Sequence, residues 1–326
     1  MASSLNWAIL GTGSIAEKFA EGLPLCQHGK LVAVGSRNAD SAEAFVAKHA
    51  GQAYGSYEEA IADPQVEAVY IALPHHLHAE WTIKAARAGK HILCEKPFAM
   101  NLAQAREALA AVKEAGVFFM EAFMYRCHPQ TILLRQLLND GVIGRIMVVT
   151  GEFCYATQRP GKHFRVDPAL GGGALMDVGC YPVSMIRLIA GQEPKRVVYS
   201  AELTPEGYDG YGSGLMDFEN GVRATFNASV HCNGRNWVTI NGENGTITVT
   251  DPWFCNGQLV VQINGRAPEE MRYRKPPHLW GNQSIVAAQL LERKQAPFMS
   301  WEDTLGNMRI LDLMRQSAGI RWDVDE

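Results

Sequence analysis

The 326-residue chain contains no C-x-x-C pair, no internal repeat, no low-complexity linker and no large surplus of either charge. Its seven cysteines (26, 94, 127, 154, 180, 232 and 255) are odd in number and scattered. That distribution argues against a disulfide framework and against a zinc site, and it fits a reducing compartment. Thirty Lys+Arg against thirty-four Asp+Glu leave a formal net charge of −4, which argues against a general nucleic-acid binder. No apolar run reaches the roughly 18 residues that span a bilayer. The start, Met1-Ala2-Ser3-Ser4-Leu5-Asn6-Trp7, carries neither a basic n-region nor a signal core. What remains is an ordinary composition, 47% hydrophobic and 20% charged, in a length suited to two domains. The expectation is a cytoplasmic enzyme or binding protein with no membrane segment.

The first 120 residues alternate short apolar runs with helical stretches. The runs are Trp7–Leu10, Leu31–Val34, Val66–Leu73, His91–Cys94 and Val117–Met120, and helices are expected after Ser14, over Ser41–His49 and Ala79–Ala88, and from Asn101 to about Ala115. Continuous apolar strands separated by single helices are the pattern of a buried parallel sheet, and right-handed crossovers make it doubly wound. Beyond about residue 145 a Gly-rich helix (Gly171–Ala190) precedes runs of two-residue alternation such as Arg223–Ala228, Trp237–Ile240 and Thr246–Val249, with turn signals between them. This predicts an open, mostly antiparallel sheet in an α+β domain. Helices over Gln283–Arg293 and Glu302–Ala318 close the chain. The expected division is a dinucleotide-binding domain over residues 1–124 and a substrate-binding and dimerisation domain over 125–326.

Gly11-Thr12-Gly13-Ser14-Ile15-Ala16 follows the first strand and opens the first helix, the context that a G-x-G-x-x-G/A fingerprint requires. Gly11 permits the turn, Gly13 lets the backbone approach a pyrophosphate, and Ala16 lets helix and strand pack. The free N–H groups and positive dipole end of the helix hold the phosphates. At the end of the second strand, where an NAD site places a carboxylate, the chain has Ser36-Arg37. A hydroxyl and a guanidinium bind a 2′-phosphate, so NADP(H) is expected over NAD(H). Leu73, Pro74, His75 and His78 lie at the third strand's end and Glu95-Lys96-Pro97 directly after the fourth, all at the carboxyl edge where such sheets bind ligands. His75, His76 and His78 lack a complementary Cys or carboxylate cluster, so no metal is expected.

The Gly-rich cradle, the Glu95-Lys96-Pro97 triplet, Pro74-His75-His76-Leu77-His78, the block Glu121-Ala122-Phe123-Met124-Tyr125-Arg126, and Gly171-Gly172-Gly173-Ala174-Leu175-Met176-Asp177-Val178-Gly179-Cys180-Tyr181 together resemble the glucose–fructose oxidoreductase / inositol dehydrogenase family. The likeness is strongest to the branch holding NADP-dependent xylose dehydrogenase, dimeric dihydrodiol dehydrogenase and anhydrofructose reductase. It implies hydride transfer between a nicotinamide and a hydroxyl or carbonyl carbon of a sugar-like substrate. By motif match Lys96 is the catalytic lysine, and Asp177 and Tyr181 are the D-x-x-x-(H/Y) pair. Phe164-Arg165 stands where relatives carry a Trp-Arg that reaches the cofactor. The chain departs from the common Pro-Asn-x-x-His motif by having His75 at the Asn position.

These residue types suit the chemistry. A neutral phenol, with an ordinary pKa of about 10, donates to a developing alkoxide, and a neighbouring ammonium stabilises the oxyanion or shuttles the proton itself. Asp177 and Tyr181, four apart, would share a helix face, and Pro182 would bend that helix. Arg126 and His128 are candidate pocket residues or plain structural ones. Competing readings are a trans-dihydrodiol or cyclitol dehydrogenase on the same scaffold, a nucleotide-sensing regulator that has lost catalysis, and a glycosidase that uses the nicotinamide transiently. A homodimer is expected through the open sheet, with Val238, Ile240, Ile247 and Val249 on its uncovered face.

Overall fold

The computed structural model describes residues 4–26, 29–157 and 163–325. Two compact units emerge: Met1–Cys127 with Pro276–Leu305, and His128–Lys275 with Gly306–Glu326. In the first, six strands form a wholly parallel sheet: β1 (Leu5–Leu10), β2 (Gly29–Gly35), β3 (Gln52–Tyr54), β4 (Ala68–Ile71), β5 (His91–Cys94) and β6 (Phe119–Glu121). Their order is β3-β2-β1-β4-β5-β6, so the chain reverses its winding between β1 and β4, and the carboxyl edge there is the usual ligand crevice. The apolar runs are buried on both faces because helices α1 (Ser14–Cys26), α2 (Ala39–His49), α3 (Tyr57–Ala62), α4 (His78–Arg87) and α5 (Leu102–Ala115) connect them. Helix starts follow side-chain capping: Asn38 accepts from Ser41 N and Asn101 from Gln104 N. The three-residue β3 and six-residue α3 escaped the sequence reading because both are too short for a periodicity to show.

The second unit holds α6 (Pro129–Asn139), β7 (Ile146–Cys154) and α7 (Cys180–Ala190), then β8 (Arg196–Leu203), β9 (Asp209–Asp217), β10 (Arg223–Ser229), β11 (Trp237–Gly242), β12 (Gly245–Thr250), β13 (Leu259–Ile263) and β14 (Glu269–Met271). Eight strands form one sheet, β14-β13-β12-β11-β7-β10-β9-β8, antiparallel except for β7 with β10. The expected Gly-rich helix is shorter. Gly173 has φ +129°, and the segment enters α7 through a π turn over Leu175–Gly179. Pro182 follows that wide turn, so the irregularity expected from its missing N–H is absorbed before the regular helix begins. Among the described residues one segment, Pro168–Ala190, is long and apolar enough to cross a membrane, but 94% of its window is buried within the protein, as in a core helix.

Two expectations are corrected. Residues 276–305, assigned to the second domain, pack with the first unit, where α8 (Asn282–Leu290) lies against α1 and the short turn Met124–Cys127. The last long helix, α9 (Trp301–Ser317), spans the division. Val238, Ile240, Ile247 and Val249 are at most 1% exposed and sit on the inner face of the sheet, the face covered by α7. Alternation identifies two faces but not which of them is covered. The outer face instead carries Val148, Val198, Tyr211 and Leu215, with a register-aligned row Thr239–Thr150–Thr225–Leu215–Val198 across five strands.

Candidate active site

Beta-strand β1 runs into Gly11, whose φ of +100° and close approach leave no room for a side chain: a Cβ there would lie 2.7 Å from Ala72 O. Its N–H donates to Gly35 O at 2.9 Å, fixing the turn against β2. Gly13 is the opposite case, with nothing within 4 Å of an added Cβ, and it is exposed with Ser14 at the first turn of α1. Ala16 is fully buried where the helix meets the sheet. Thr12 and Ile15 are half-buried on the same turn. The cradle therefore offers unfilled space and unshielded N–H groups at a helix start, the fit a diphosphate needs. At the end of β2, Ser36 is buried and its hydroxyl accepts from Asn38 N at 3.3 Å, while Arg37 is exposed and engages the Tyr57 phenol.

The Glu95–Phe98 turn is held by three side chains from outside it and by one bond within it. Tyr70 on β4 donates to Glu95 Oε1 at 2.5 Å, and Lys96 N donates to Glu95 Oε2 at 3.3 Å. Phe98 N donates to Glu121 Oε1 on β6 at 3.0 Å. Pro97 O lies 2.8 Å from His78 Nδ1, whose Nε2 is 2.7 Å from Leu73 O. The Lys96–Pro97 peptide is cis. Every residue from Ile92 to Met100 is buried except Lys96, which alone keeps partial exposure. His78, grouped by sequence with the cofactor contacts, is thus fully buried between two backbone carbonyls, and burial pushes its pKa down to about 4. His75 is also buried, with its ring 5.9 Å from that of His78, and Leu73 and Pro74 complete the edge beside it.

In the second unit Asp177 sits in the π turn, almost fully buried. Tyr155 donates to its Oδ2 at 2.6 Å and Arg165 Nε to its Oδ1 at 3.1 Å. Arg165, expected to reach the cofactor, is placed on this carboxylate, and its guanidinium stacks over Phe164 at 4.8 Å. Tyr181, in the first turn of α7, packs edge-on against Phe153 at 5.1 Å and Trp253 at 5.8 Å. Arg126 is 1% exposed and donates to Phe298 O at 3.3 Å, and His128 caps α6 through Gln130 N at 3.1 Å. Both therefore serve the packing. Tyr155, Tyr70 and Glu121 were not singled out by sequence. Only Glu121 had a signal, its place in the Glu121–Arg126 block; the two tyrosines are single aromatic residues in or beside strands.

Residues 5–123 match the NAD-binding Rossmann fold of the GFO/IDH/MocA oxidoreductase family, and residues 131–248 match that family's C-terminal domain. The chain is 34% identical over 336 residues to trans-1,2-dihydrobenzene-1,2-diol dehydrogenase of Sus scrofa, covering 99% of both. It is 31% identical to D-xylose 1-dehydrogenase (NADP(+)) 2 of Haloferax volcanii, over 96% of this chain and 97% of that one. The crystal structure of aldose-aldose oxidoreductase from Caulobacter crescentus, complexed with glycerol, superposes with a TM-score of 0.90 at 25% identity, covering 97% and 98% of the two chains. A wholly parallel nucleotide-type sheet with its glycine cradle, a buttressed lysine turn at the carboxyl edge, an open second sheet and full-length relatives together establish that the chain belongs to the GFO/IDH/MocA family of oxidoreductases.

Proposed function

We propose that this chain is an NADP(H)-dependent dehydrogenase or reductase that interconverts a secondary alcohol and a carbonyl in a sugar-like substrate. The observation that carries the reading is the Glu95–Phe98 turn, where the buried Tyr70, His78 and Glu121 spend hydrogen bonds on a turn that presents one partly exposed lysine. Such a fixed turn suits a lysine that must meet a reacting atom, because it sets where the side chain starts. Gly11, Thr12, Gly13, Ser14 and Ile15 would receive the diphosphate. Ser36 and Arg37 would face the adenosine ribose, with Arg37 favouring a 2′-phosphate. Leu73, Pro74, His75 and Glu95 would line the nicotinamide end. The bound nicotinamide supplies or accepts the hydride. Tyr181 would exchange the proton at the substrate oxygen, Lys96 would stabilise negative charge on that oxygen, and Asp177, oriented by Tyr155 and Arg165, would orient the substrate hydroxyl.

The same reading includes a cytoplasmic homodimer built on the outer face of the eight-stranded sheet. That face is neutral and β-branched along Thr239, Thr150, Thr225 and Val198, and it exposes Val148, Tyr211 and Leu215, a composition suited to a self-complementary contact. The function is tested by offering aldoses, cyclitols and trans-dihydrodiols with NADP+ or NAD+ and following nicotinamide absorbance. Reduction of NADP+ with an aldose is expected. Reduction only with a dihydrodiol would move the substrate class, and no reduction with any alcohol would overturn the reading. Light scattering decides the assembly: the expected mass is twice the chain's 35.9 kDa, and the single-chain mass would refute the dimer.

A further inference from the structure

Asp209 opens β9, yet its side chain belongs to the segment that carries Asp177 and Tyr181. The carboxylate is 2% exposed, and its Oδ2 accepts from Leu175 N at 2.7 Å and from the Tyr199 hydroxyl at 2.9 Å. Ala174 N and its own N–H add further donors. Three glycines make this possible. A Cβ on Gly173 would overlap Asp209 Oδ1, so only a glycine lets the carboxylate reach the turn. On the inner face of β9 a side chain on Gly212 would occupy the place of the Tyr199 phenol, and one on Gly214 that of Phe226, the ring stacked on Tyr199. Tyr199 is itself held at its backbone by Ser317 Oγ of α9, at 2.8 Å.

We propose that Asp209 is a positioning residue for the reaction: its ionised carboxylate holds the first turn of the π segment, and thereby sets the placement of Asp177 and Tyr181. The inference rests on the catalytic reading of that pair. All the partners named are donors, which favours the ionised form, but burial outweighs them and pushes the pKa of Asp209 up to about 6. From β8 the titratable group facing it is Tyr199, whose own phenol is pushed well up by burial and by Asp209, with Cys154 of β7 beyond. On the turn it caps, the charged groups are Asp177 with Arg165. Next to it in the chain Tyr208 pairs with His231 at 3.0 Å. As pH falls through about 6 the carboxylate gains a proton, the N–H bonds weaken, and the turn is released.

The test is hydrogen–deuterium exchange over residues 173–181 between pH 5 and 8, corrected for intrinsic chemistry, in the wild type, Asp209→Asn and Tyr199→Phe. Protection in the wild type should fall about tenfold as pH drops through 6. It should be low and pH-independent in Asp209→Asn. In Tyr199→Phe the midpoint should move to higher pH, because a donor that favoured the ionised form is gone. With D-xylose and NADP+ as probes, Asp209→Asn should lose kcat by about 10- to 100-fold, the scale of a small misplacement of reacting groups, with KM for NADP+ unchanged. Protection that is the same at pH 5 and 8 in both the wild type and Tyr199→Phe would overturn the role of Asp209, even if Asp209→Asn fails to fold. A fully active Tyr181→Phe would instead remove the catalytic reading and leave the exchange result standing.

Discussion

Replacing Gly173 by alanine tests the packing logic of the second unit at one atom. Gly173 has φ +129°, a backbone region that costs an L residue about 1–3 kcal/mol. The new Cβ would also overlap Asp209 Oδ1 and lie 3.1 Å from its Cγ. That carboxylate cannot swing aside without breaking its bonds to Leu175 N and Tyr199, so overpacking adds about 1–3 kcal/mol. The sum is roughly 2–6 kcal/mol. Gly191, which ends α7 at φ +67° with nothing within 4 Å of an added Cβ, is the control. Gly191→Ala carries only the backbone term, about 1 kcal/mol. At roughly 2–4 °C per kcal/mol for units of this size, the difference of about 1–5 kcal/mol should make Gly173→Ala melt about 2–20 °C below Gly191→Ala in a calorimetric scan. The double variant Gly173→Ala/Asp209→Ala should show a coupling of about 1–3 kcal/mol, because the overlap term disappears with the carboxylate. Equal melting of the two single variants, or strict additivity in the double, would show that the space around Asp209 does not constrain residue 173.

Lys96→Ala should lower turnover by roughly 10²–10⁴-fold while leaving the melting temperature and NADP+ affinity near wild type, since Lys96 alone among its neighbours is not built into the core. Near-full activity would remove it from the mechanism. Arg37→Asp should weaken NADP+ binding by about tenfold or more and spare NAD+, as titration of protein fluorescence would show; tighter binding of NAD+ than NADP+ by the wild type would refute that role. His78 is held neutral, with its pKa lowered to about 4 from an ordinary 6.5, so below pH 6.5 the unfolded chain takes a proton that the fold refuses. The stability this group contributes is present above pH 6.5 and is lost as pH falls toward 4, by up to about 3 kcal/mol. His78→Gln should flatten that acid-side loss in urea midpoints at pH 5 and 7.5, and an unchanged slope would refute the assignment.

Apart from the short edge strand β3, the parallel sheet was legible because its strands are largely buried on both faces, so their residues read as apolar runs whatever their partners. The glycine cradle and the lysine after β5 were legible for a related reason. A turn that needs φ near +100°, or a ligand group at a strand's carboxyl end, restricts residue type at a fixed place along the chain. The side-chain network around these positions was not. Tyr155 meets Asp177 across 22 residues of sequence, Tyr70 meets Glu95 across 25, and the Asp209 carboxylate reaches Leu175 across 34. No local pattern records such meetings. Likewise, a two-residue alternation predicts the strands of the second sheet, but it is symmetric with respect to the two faces. Only the packing of α7 decided that Val238, Ile240, Ile247 and Val249 point inward, leaving the threonine row outside. The sequence by itself determined the longer strands and helices of the first half, the alternating strands of the second and the chemical types at the cradle and the lysine turn, because those rest on local periodicity and backbone conformation. The tertiary structure alone decided which carboxylates are buried, what holds them and which face of the second sheet is left open, because those depend on contacts between residues far apart in the chain.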